Sequence, residues 1–387
     1  MKLNILFVDD EQSIISGLKR MLHFMKNEWN MYFALSGLEA LDILEKAEMD
    51  IVISDMRMPG MDGATLLEKV KKLYPATVRI ILSGYSDRDL ILKASKAAHQ
   101  FLAKPIDAHV LKDVIEQLYS LQNILKNPQI IKIANGVNAL PSLPELFVLI
   151  EEEMRKPDPS IRQVENIISR DMIMTARILQ LVNSAFFGLP QKIVSSFDAV
   201  NFLGIEVIKA LVLIVHLFSN DAKDEPSSYI LNKTGDESIK TANLCKEIAI
   251  SEKLDNKIIE VCFIGGLLHN IGELIMWQIS NYFADISKYK TENKTTEVEA
   301  EYALYGTSHA EVGAYLLGVW GLPDSLVKTV YYHHFPSKCP DKNFIPLEIV
   351  HAADFILNKE PLDTGYEMVN GNINKWINTF NKEQQYE

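Results

Sequence analysis

The chain has 387 residues, of which 48% are hydrophobic and 23% are charged, and its formal net charge is −12. This length is too great for one typical hydrophobic core and indicates two or three domains of ordinary globular composition. The acidic balance argues against an extended nucleic-acid-binding surface, because neutralising phosphates requires clustered lysine and arginine. We therefore expect no nucleic acid partner.

The cysteines and the apolar segments bear on the cellular compartment. Cys245, Cys262 and Cys339 are widely spaced and form no CxxC motif, so neither a disulfide framework nor a zinc ribbon is indicated. The apolar start at 5–8 is too short for a signal-peptide core. The longest apolar run, 210–218, is shorter than the roughly 20 residues of a membrane span and predicts a buried helix. We expect a cytoplasmic protein with no membrane partner.

The first third of the sequence alternates short apolar strands with helices. The predicted strands lie at 3–8, 31–35, 51–53, 78–82 and near 100–103. Helices are expected between them, including one over 87–98 and a last one that begins near Asp107. Five strands in this alternation predict a five-stranded parallel sheet with helices on both faces, an α/β domain over 1–122.

Polar residues stand at or just past the ends of these strands, namely Asp9, Asp10, Asp55, Ser83 and Lys104. A parallel sheet brings the ends of its strands to one edge, where ligands and chemistry collect. Carboxylates gathered there repel each other unless a hard cation such as Mg²⁺ is bound. An ammonium and a hydroxyl beside them can steady a transferred phosphoryl group. Asp55 would then act as a carboxylate nucleophile.

In these residues the segment 1–120 resembles the receiver domain of bacterial response regulators, which has a flavodoxin-like fold. The family's acidic pair corresponds to Asp9 and Asp10, its phosphoacceptor to Asp55, its switch hydroxyl to Ser83 and its lysine to Lys104.

The resemblance implies further properties. Mg²⁺ would be held at the acidic pair, Asp55 and the backbone carbonyl of Arg57. Phe101 stands at the position of the family's switch aromatic residue. The expected partner is a sensor histidine kinase or a phosphotransfer protein.

An apolar stripe marks the last helix of this domain. Its members recur at intervals of three and four residues: Val110, Val114, Leu118, Leu121 and Leu125. The stripe is consistent with a core face, an interdomain contact or the seam of a homodimer. Pro128 would stop the helix, and we place an extended helix or linker at 123–138.

Beyond the linker the pattern predicts helices only. Capping-box spacings occur at Ser142–Glu145, Thr296–Glu299 and Ser308–Glu311, and Ser160 opens another helix. We therefore expect an all-α domain over 139–340. The segment 341–387 would add a helix opened by Pro346 and then a polar stretch, 366–387, that ends in a frayed tail.

Several histidines of this helical part resemble those of HD-type metal-dependent phosphohydrolases, in the segment Gly266–Gly272 and the doublet His333–His334. Asn270, however, occupies the place of the aspartate, and a neutral amide cannot bridge two cations. A vestigial mononuclear metal site remains one interpretation, with the candidate ligands His269, His309, His333, His334 and Asp354. The other is that these are interior histidines with satisfied hydrogen bonds, and we expect no metal in this domain.

The segment 139–335 resembles the HDOD domain, an HD-related output module generally regarded as non-catalytic. The resemblance rests on Leu140–Pro144, Arg177–Gly188, Ala199–Gly204, Leu267–Gly272 and His309–Pro323. It implies a response regulator that signals to a downstream protein partner, with no turnover beyond the phosphoacceptor and autodephosphorylation chemistry of the receiver. The alternative is a phosphorylation-controlled metal-dependent phosphodiesterase acting on a cyclic dinucleotide.

Overall fold

The fold was analysed in a computed structural model, which describes residues 2–83, 94, 97–106, 108–120, 133, 144–170, 174–175, 178, 193, 195–221, 225–277, 279–358, 363 and 372–383. The chain forms two compact units. The first comprises Met1–Glu152 with Gly318–Gly321, and the second comprises Glu153–Leu317 with Leu322–Glu387.

The first unit is built on a five-stranded parallel sheet. Its strands are β1 (Leu3–Val8), β2 (Trp29–Ala34), β3 (Ile51–Asp55), β4 (Val78–Ser83) and β5 (Gln100–Ala103), in the spatial order β2-β1-β3-β4-β5. Every residue of β3 is buried, as expected for a strand covered on both faces. The predicted sheet is confirmed, although β2 begins two residues earlier than the sequence pattern indicated.

Helices connect these strands at α1 (Gln12–Met21), α2 (Gly37–Lys46), α3 (Gly63–Leu73) and α4 (Ala108–Ser120), with a short 3₁₀ turn at His23–Met25. Side chains cap the N-termini of α2 and α3. Ser36 Oγ accepts from the backbone N–H of Glu39, and Asp62 Oδ1 accepts from the backbone N–H of Thr65. Most of the predicted helix at 87–98 lies outside the described residues. The same holds for the predicted helical extension past 120 and most of the linker.

A buried arginine, which the sequence analysis did not single out, organises the start of β5. Arg79 is fully buried, and its guanidinium donates to the carbonyl oxygens of Ala97 at 2.7 Å and Thr77 at 2.8 Å. It also contacts the ring of His99. Burial, together with the Arg79 charge, holds the pKa of His99 well below its usual value, so the ring is neutral. This network ties β4 to the residue that precedes β5, the strand that delivers Lys104.

The second part of the chain is helical. Its helices are α5 (Glu145–Met154), α6 (Ile161–Ile168), α7 (Ser196–Leu203), α8 (Ile205–Asp221), α9 (Glu225–Ser251), α10 (Asn256–Leu268), α11 (Glu273–Met276), α12 (Tyr282–Asn293), α13 (Glu297–Tyr305), α14 (His309–Val319), α15 (Asp324–Tyr332), α16 (Ile345–Asn358) and α17 (Asn372–Glu383), with a 3₁₀ turn at Pro336–Lys338. No strand occurs among the residues described from 144 onward, so the predicted all-α character is confirmed.

Local signals in the sequence account for several helix ends. The predicted capping box at α13 is present, since Thr296 Oγ1 accepts from Glu299 N and Glu299 Oε2 accepts from Thr296 N. Helix α16 begins one residue before Pro346 and carries His351 and Asp354, as predicted. The proposed cap at Ser142 lies outside the described residues.

The core of the helical domain is formed where α9, α10 and α16 pack together around Cys245, Ile248, Cys262, Val350 and Ala353. By length and composition, Asn256–Met276 is apolar enough to cross a membrane. However, 67% of its most apolar window is buried within the protein, as in the core helix of a globular domain. The described cysteines are all free and buried, as expected without a disulfide framework.

The polar C-terminal segment contains one more helix, which the sequence pattern did not predict. Helix α17 buries Ile373 and Trp376 against the α9–α16 core. The indole Nε1–H of Trp376 also donates to Glu252 Oε1 at 2.8 Å. The apolar residues of this segment recur at helical spacing between asparagines and lysines, so its high polarity concealed an amphipathic helix.

Replacing Trp376 with alanine should therefore destabilise the helical domain. Loss of a buried indole typically costs about 3–5 kcal/mol of unfolding free energy, and the Glu252 hydrogen bond is lost with it. Urea denaturation followed by far-ultraviolet circular dichroism measures the effect. Asn374→Ala, at an exposed position of the same helix, is the matched control and should change stability by no more than about 0.5 kcal/mol. Equal effects of the two substitutions would show that α17 is not part of the core.

Candidate functional site

The sheet places two of the predicted carboxylates side by side. Asp9 directly follows β1, Asp55 is the last residue of β3, and these strands are neighbours with Val8 paired to Ser54. From β1 the sheet continues to β2 on one side and to β3 on the other, so this is the point where the strand order reverses. Crevices at the carboxyl ends of strands collect ligands at such a switch point.

Lys104 joins the two carboxylates from the end of β5. Its Nζ lies 2.8 Å from Asp9 Oδ2 and also forms an ion pair with Asp55 Oδ1. The Asp9 side chain is 2% exposed and that of Asp55 is 10% exposed, so both acids are largely removed from water. One ammonium therefore offsets the repulsion between two buried negative charges. This arrangement confirms that the sheet brings Asp9, Asp55 and Lys104 together.

Backbone donors hold the carboxylates in orientation. Asp55 Oδ2 accepts from the backbone N–H of Arg57 at 2.9 Å, and Asp9 Oδ1 accepts from that of Glu11 at 3.0 Å. A backbone hydrogen bond also holds the turn after β3 against β4, because Met56 N donates to the Leu82 carbonyl at 3.0 Å. Asp55 is thus positioned by contacts on both of its carboxylate oxygens.

The electrostatics of the pair follow from burial and from mutual contact. Burial raises the pKa of Asp55, and the negative charge of Asp9 raises it further. Lys104 lowers the pKa through its hydrogen bond and charge, but the net shift is upward. For Lys104, burial lowers the pKa, but the hydrogen bonds and charges of Asp55 and Asp9 outweigh it and raise the pKa overall. A partly desolvated carboxylate beside a fixed ammonium is suited to act as a nucleophile.

The donor set at this edge fits a hard divalent cation. Asp9 and Asp55 supply carboxylate oxygens, and Asp10 lies next along the chain at an exposed position. The Arg57 peptide belongs to the same turn, since its N–H contacts Asp55. Oxygen donors of this kind suit Mg²⁺, which keeps several of its waters.

Ser83 and Phe101 lie on the strands next to the carboxylates. Ser83 ends β4, one residue after Leu82, which is paired with Asp55. Phe101 in β5 is paired with Ile81, and its ring is buried at 6% exposure. The backbone thus carries both predicted switch residues to the sheet edge, while their switching role remains a prediction.

Gly63, to which the sequence analysis gave no role, is required by close packing at the site. It is the first residue of α3, and its N–H donates to the Met56 carbonyl at 3.0 Å. A Cβ atom at this position would lie 2.1 Å from the backbone carbonyl oxygen of Asp55. The helix can therefore approach β3 this closely only with glycine at position 63.

The helical domain gathers most of its predicted site residues. His269 follows α10, His309 begins α14, and His333 and His334 follow α15. One ring nitrogen from each of His309, His333 and His334 lies within 4.8 Å of the others. The rings of His269 and His333 meet edge to face at a centroid separation of 5.3 Å. Asp354 Oδ1 lies 3.6 Å from His269 Nε2, beyond hydrogen-bond distance.

Two of these histidines are not satisfied as ordinary interior side chains would be. The Nδ1 atoms of His269 and His333 each lie 2.7 Å from a backbone carbonyl of their own helix, Gly266 and Val330 respectively. Both Nε2 atoms are buried and lack a hydrogen-bond partner within the described part of the chain. The helix geometry thus engages one nitrogen of each ring through the chain's own backbone.

Glu301 is a further residue of this cluster that the sequence did not reveal. It is fully buried and accepts from the backbone N–H of His309 at 3.0 Å and from its Nδ1 at 2.8 Å. The hydroxyl of Tyr282 also donates to it. Burial lowers the pKa of His309, but Glu301 outweighs this and raises it to about 10. Glu301 and His309 therefore form a buried carboxylate–imidazolium pair at neutral pH.

Comparison with known proteins agrees with both halves of this description. The family model of the response regulator receiver domain matches residues 5–116, and that of the HDOD domain matches residues 140–336, half of the chain. The fold and site thus define a response regulator with an α/β receiver domain and a helical HDOD domain. The chain belongs to the HDOD family.

Individual relatives match one part or the other. The receiver part is 33% identical over 124 residues to sporulation initiation phosphotransferase F of Bacillus subtilis (strain 168), covering 32% of this chain and 98% of that protein. An uncharacterized protein of Treponema pallidum (strain Nichols) is 24% identical over 245 residues, 61% of this chain, and the chain spans 46% of its length. The crystal structure of an HDOD domain protein of unknown function from Geobacter sulfurreducens superposes with a TM-score of 0.50 at 27% identity, covering 65% of this chain and 86% of that one.

Alanine at position 63 should displace the backbone of Asp55. Overpacking of this kind costs about 1–3 kcal/mol of unfolding free energy, and the displaced carboxylate should be phosphorylated more slowly. Gly17→Ala is the matched control: it lies in α1 with open space around it, and alanine should stabilise the helix by up to about 1 kcal/mol. Thermal denaturation and phosphorylation kinetics of both variants test the point, and wild-type kinetics in Gly63→Ala would contradict it.

Asp55→Asn should stabilise the receiver domain at neutral pH. Because the pKa of Asp55 is raised in the folded state, that state binds the proton more tightly than the unfolded chain does. The contribution of Asp55 to stability therefore declines as the pH rises through its titration range. The difference in melting temperature between variant and wild type should shrink on acidification toward the ordinary aspartate range. Asp42→Asn, at an exposed position in α2, is the control and should show no such trend. A receiver domain destabilised by Asp55→Asn at neutral pH would contradict the raised pKa of Asp55.

Proposed function

We propose that this protein is a phosphorelay response regulator whose phosphoacceptor is Asp55. The observation that carries the proposal is the bridge made by Lys104 between Asp9 and Asp55 at the switch point of the sheet. The bridge keeps a nucleophilic carboxylate partly desolvated, oriented and next to a permanent positive charge. These are the requirements for accepting a phosphoryl group.

The donor would be the phosphohistidine of a sensor histidine kinase or a phosphotransfer protein. A carboxylate oxygen of Asp55 attacks phosphorus, the P–N bond to the donor histidine breaks, and the freed imidazole nitrogen later takes up a proton. Lys104 remains beside the site and offsets the charge on the phosphoryl oxygens. Mg²⁺, when bound by Asp9, Asp10, Asp55 and the Arg57 carbonyl, would supply further neutralisation of those oxygens.

Ser83 and Phe101 would transmit the change to the protein surface. The phosphoryl oxygens would draw the Ser83 hydroxyl from the end of the adjacent strand. Phe101 lies one strand further out, and its buried ring would respond to the space that the hydroxyl leaves. A two-state rearrangement of this kind would change the conformation of the surface near β5 when the chain is phosphorylated.

The helical domain would act as a protein-binding output module without turnover. The match to the HDOD family and the neutral Asn270 support this role, because a carboxylate that could bridge two metals is lacking at that position. The competing hypothesis, a phosphodiesterase acting on a cyclic dinucleotide, is not favoured for the same reason. The free buried cysteines suit a reducing cytoplasm.

Incubation with acetyl phosphate and Mg²⁺ should add one phosphoryl group per chain, detected by intact-protein mass spectrometry. Asp55→Asn should abolish the addition, because an amide oxygen is a poor nucleophile and cannot form a stable acyl phosphate. Asp42→Asn, which removes an exposed carboxylate from α2, should label like the wild type. Labelling of Asp55→Asn to the wild-type extent would disprove the assignment.

The same phosphorylated sample tests the switch. Hydrogen exchange should change in the strands that carry Ser83 and Phe101, and Ser83→Ala should reduce that change while the chain still accepts phosphate. Unchanged exchange in these strands of the phosphorylated wild type would contradict the proposed transmission.

A further inference from the structure

Strand β2 (Trp29–Ala34) is an outer strand of the receiver sheet. In the sheet order β2-β1-β3-β4-β5 it pairs with β1 on one side and with no other described strand. An outer strand of this kind offers a row of backbone donors and acceptors to a further strand. We propose that this edge binds an extended acidic peptide segment of a partner protein, which adds to the sheet beside β2.

The hydrogen bonds between β1 and β2 show which backbone groups are available. Asp9 N donates to the carbonyl oxygen of Ala34 at 3.2 Å. In a parallel pair the groups directed at the neighbouring strand recur at every second residue, so Met31 and Phe33 direct their N–H and C=O groups away from β1. Among the described residues, no hydrogen bond is made to the backbone of Met31 or Phe33 from that outer side.

A groove of about 490 Å³ runs along this edge. One side of it is formed by five consecutive strand residues, 29–33, and the other by three basic residues of α1 and the turn that follows, namely Lys19, His23 and Lys26. Five residues of a strand span about 13 Å, the length of an extended peptide of equal size. The groove therefore has the dimensions of one added strand.

The positive charge of the groove is not neutralised by the domain itself. Lys19 and Lys26 form no salt bridge with a carboxylate of the described chain. No aspartate or glutamate is among the described residues that line the groove. In a chain whose net charge is −12, this is a local reversal of sign. An acidic peptide is complementary to it, and that complementarity favours both association and selection of the partner.

Aromatic contacts hold the groove in shape. The ring of Phe33 stacks on the fully buried ring of Phe7 at a centroid separation of 5.4 Å, and Lys19 Nζ lies 4.7 Å from the centroid of the Phe33 ring. Before the strand begins, Lys26 Nζ lies 3.4 Å from His23 Nε2. Basic groups thus flank the groove from the start of β2 to Phe33, and a peptide meets them without rearrangement.

A second copy of this chain fits the edge less well than an acidic segment does. Pairing of two β2 strands would bring the basic residues of one copy close to those of the other, and like charges across an interface repel. Strand β2 itself contains neither a charged residue nor a proline, which are common protections of an outer strand. The edge therefore accepts a further strand, and the flanking charges select an acidic one.

The experiment is a fluorescence-polarisation titration of the full-length protein with a labelled octapeptide of alternating glutamate and valine. We expect saturable binding with a Kd below about 1 mM, which weakens as the salt concentration rises. Hydrogen exchange of the β2 amides should slow in the complex. Methylating one alternate set of backbone amides in the peptide should abolish binding, and methylating the other set should not, because an added strand turns every second amide toward β2.

Charge-reversal variants test the basic residues. Lys19→Glu and Lys26→Glu should each weaken the affinity about 10-fold, because each places a negative charge against the acidic peptide. Both lysines are exposed, so the variants should fold, which far-ultraviolet circular dichroism checks. Lys72→Glu, at an exposed position of α3 outside the groove, makes the same change in net charge and should bind the peptide like the wild type.

Four results would overturn the proposal: no saturable binding of the acidic peptide, equal binding of its two methylated forms, equal loss of affinity in Lys72→Glu and Lys19→Glu, or equal binding of a peptide with lysine in place of glutamate. Tighter binding of an oligothymidylate, or a dimer of the free protein that the peptide dissociates, would assign the edge to another occupant and overturn it as well. These measurements do not involve phosphate labelling of Asp55, so failure here is distinct from failure of the proposed function.

Discussion

One ion-pair arrangement determines the design of the receiver domain: a single lysine shared between two buried carboxylates. Asp9 and Asp55 would repel each other if they stood alone, and Lys104 removes that conflict while leaving Asp55 reachable at 10% exposure. The parallel order of the sheet places the acids on neighbouring strands. The buried Arg79 network secures the start of the strand that delivers the lysine. Gly63 lets α3 approach closely without displacing the backbone of Asp55.

In the helical domain the buried polar groups include histidine rings and the Glu301 carboxylate. In its histidine cluster, the Nδ1 atoms of His269 and His333 contact backbone carbonyls and that of His309 contacts Glu301. The Nε2 atoms of His309 and His334 face each other. The receiver edge gathers carboxylate oxygens around one lysine, whereas the histidine cluster gathers imidazole nitrogens inside a packed helical domain.

The sequence was sufficient to predict the sheet and the meeting of Asp9, Asp55 and Lys104, because the strand ends of a parallel sheet converge at one edge. It could not reveal Gly63, whose role depends on a close approach between α3 and β3, or Arg79, whose hydrogen bonds reach residues 18–20 positions away. Glu301 was missed because it pairs with a histidine in the next helix and belongs to no recognisable motif. Helix α17 was missed because polar residues dilute its apolar spacing. For the histidines, the sequence suggested candidate ligands, and only the structure showed which nitrogens are left unpaired.

The carboxylate held by Lys104 should be the group that becomes phosphorylated. Borohydride reduces an aspartyl phosphate to homoserine, which marks the modified position permanently and can be located by peptide mass spectrometry. After phosphorylation in Mg²⁺ and reduction, the account predicts homoserine at position 55 and unmodified aspartate at positions 9 and 10. Homoserine at either of those positions, or its absence from position 55 in a chain that has gained phosphate, would contradict the account.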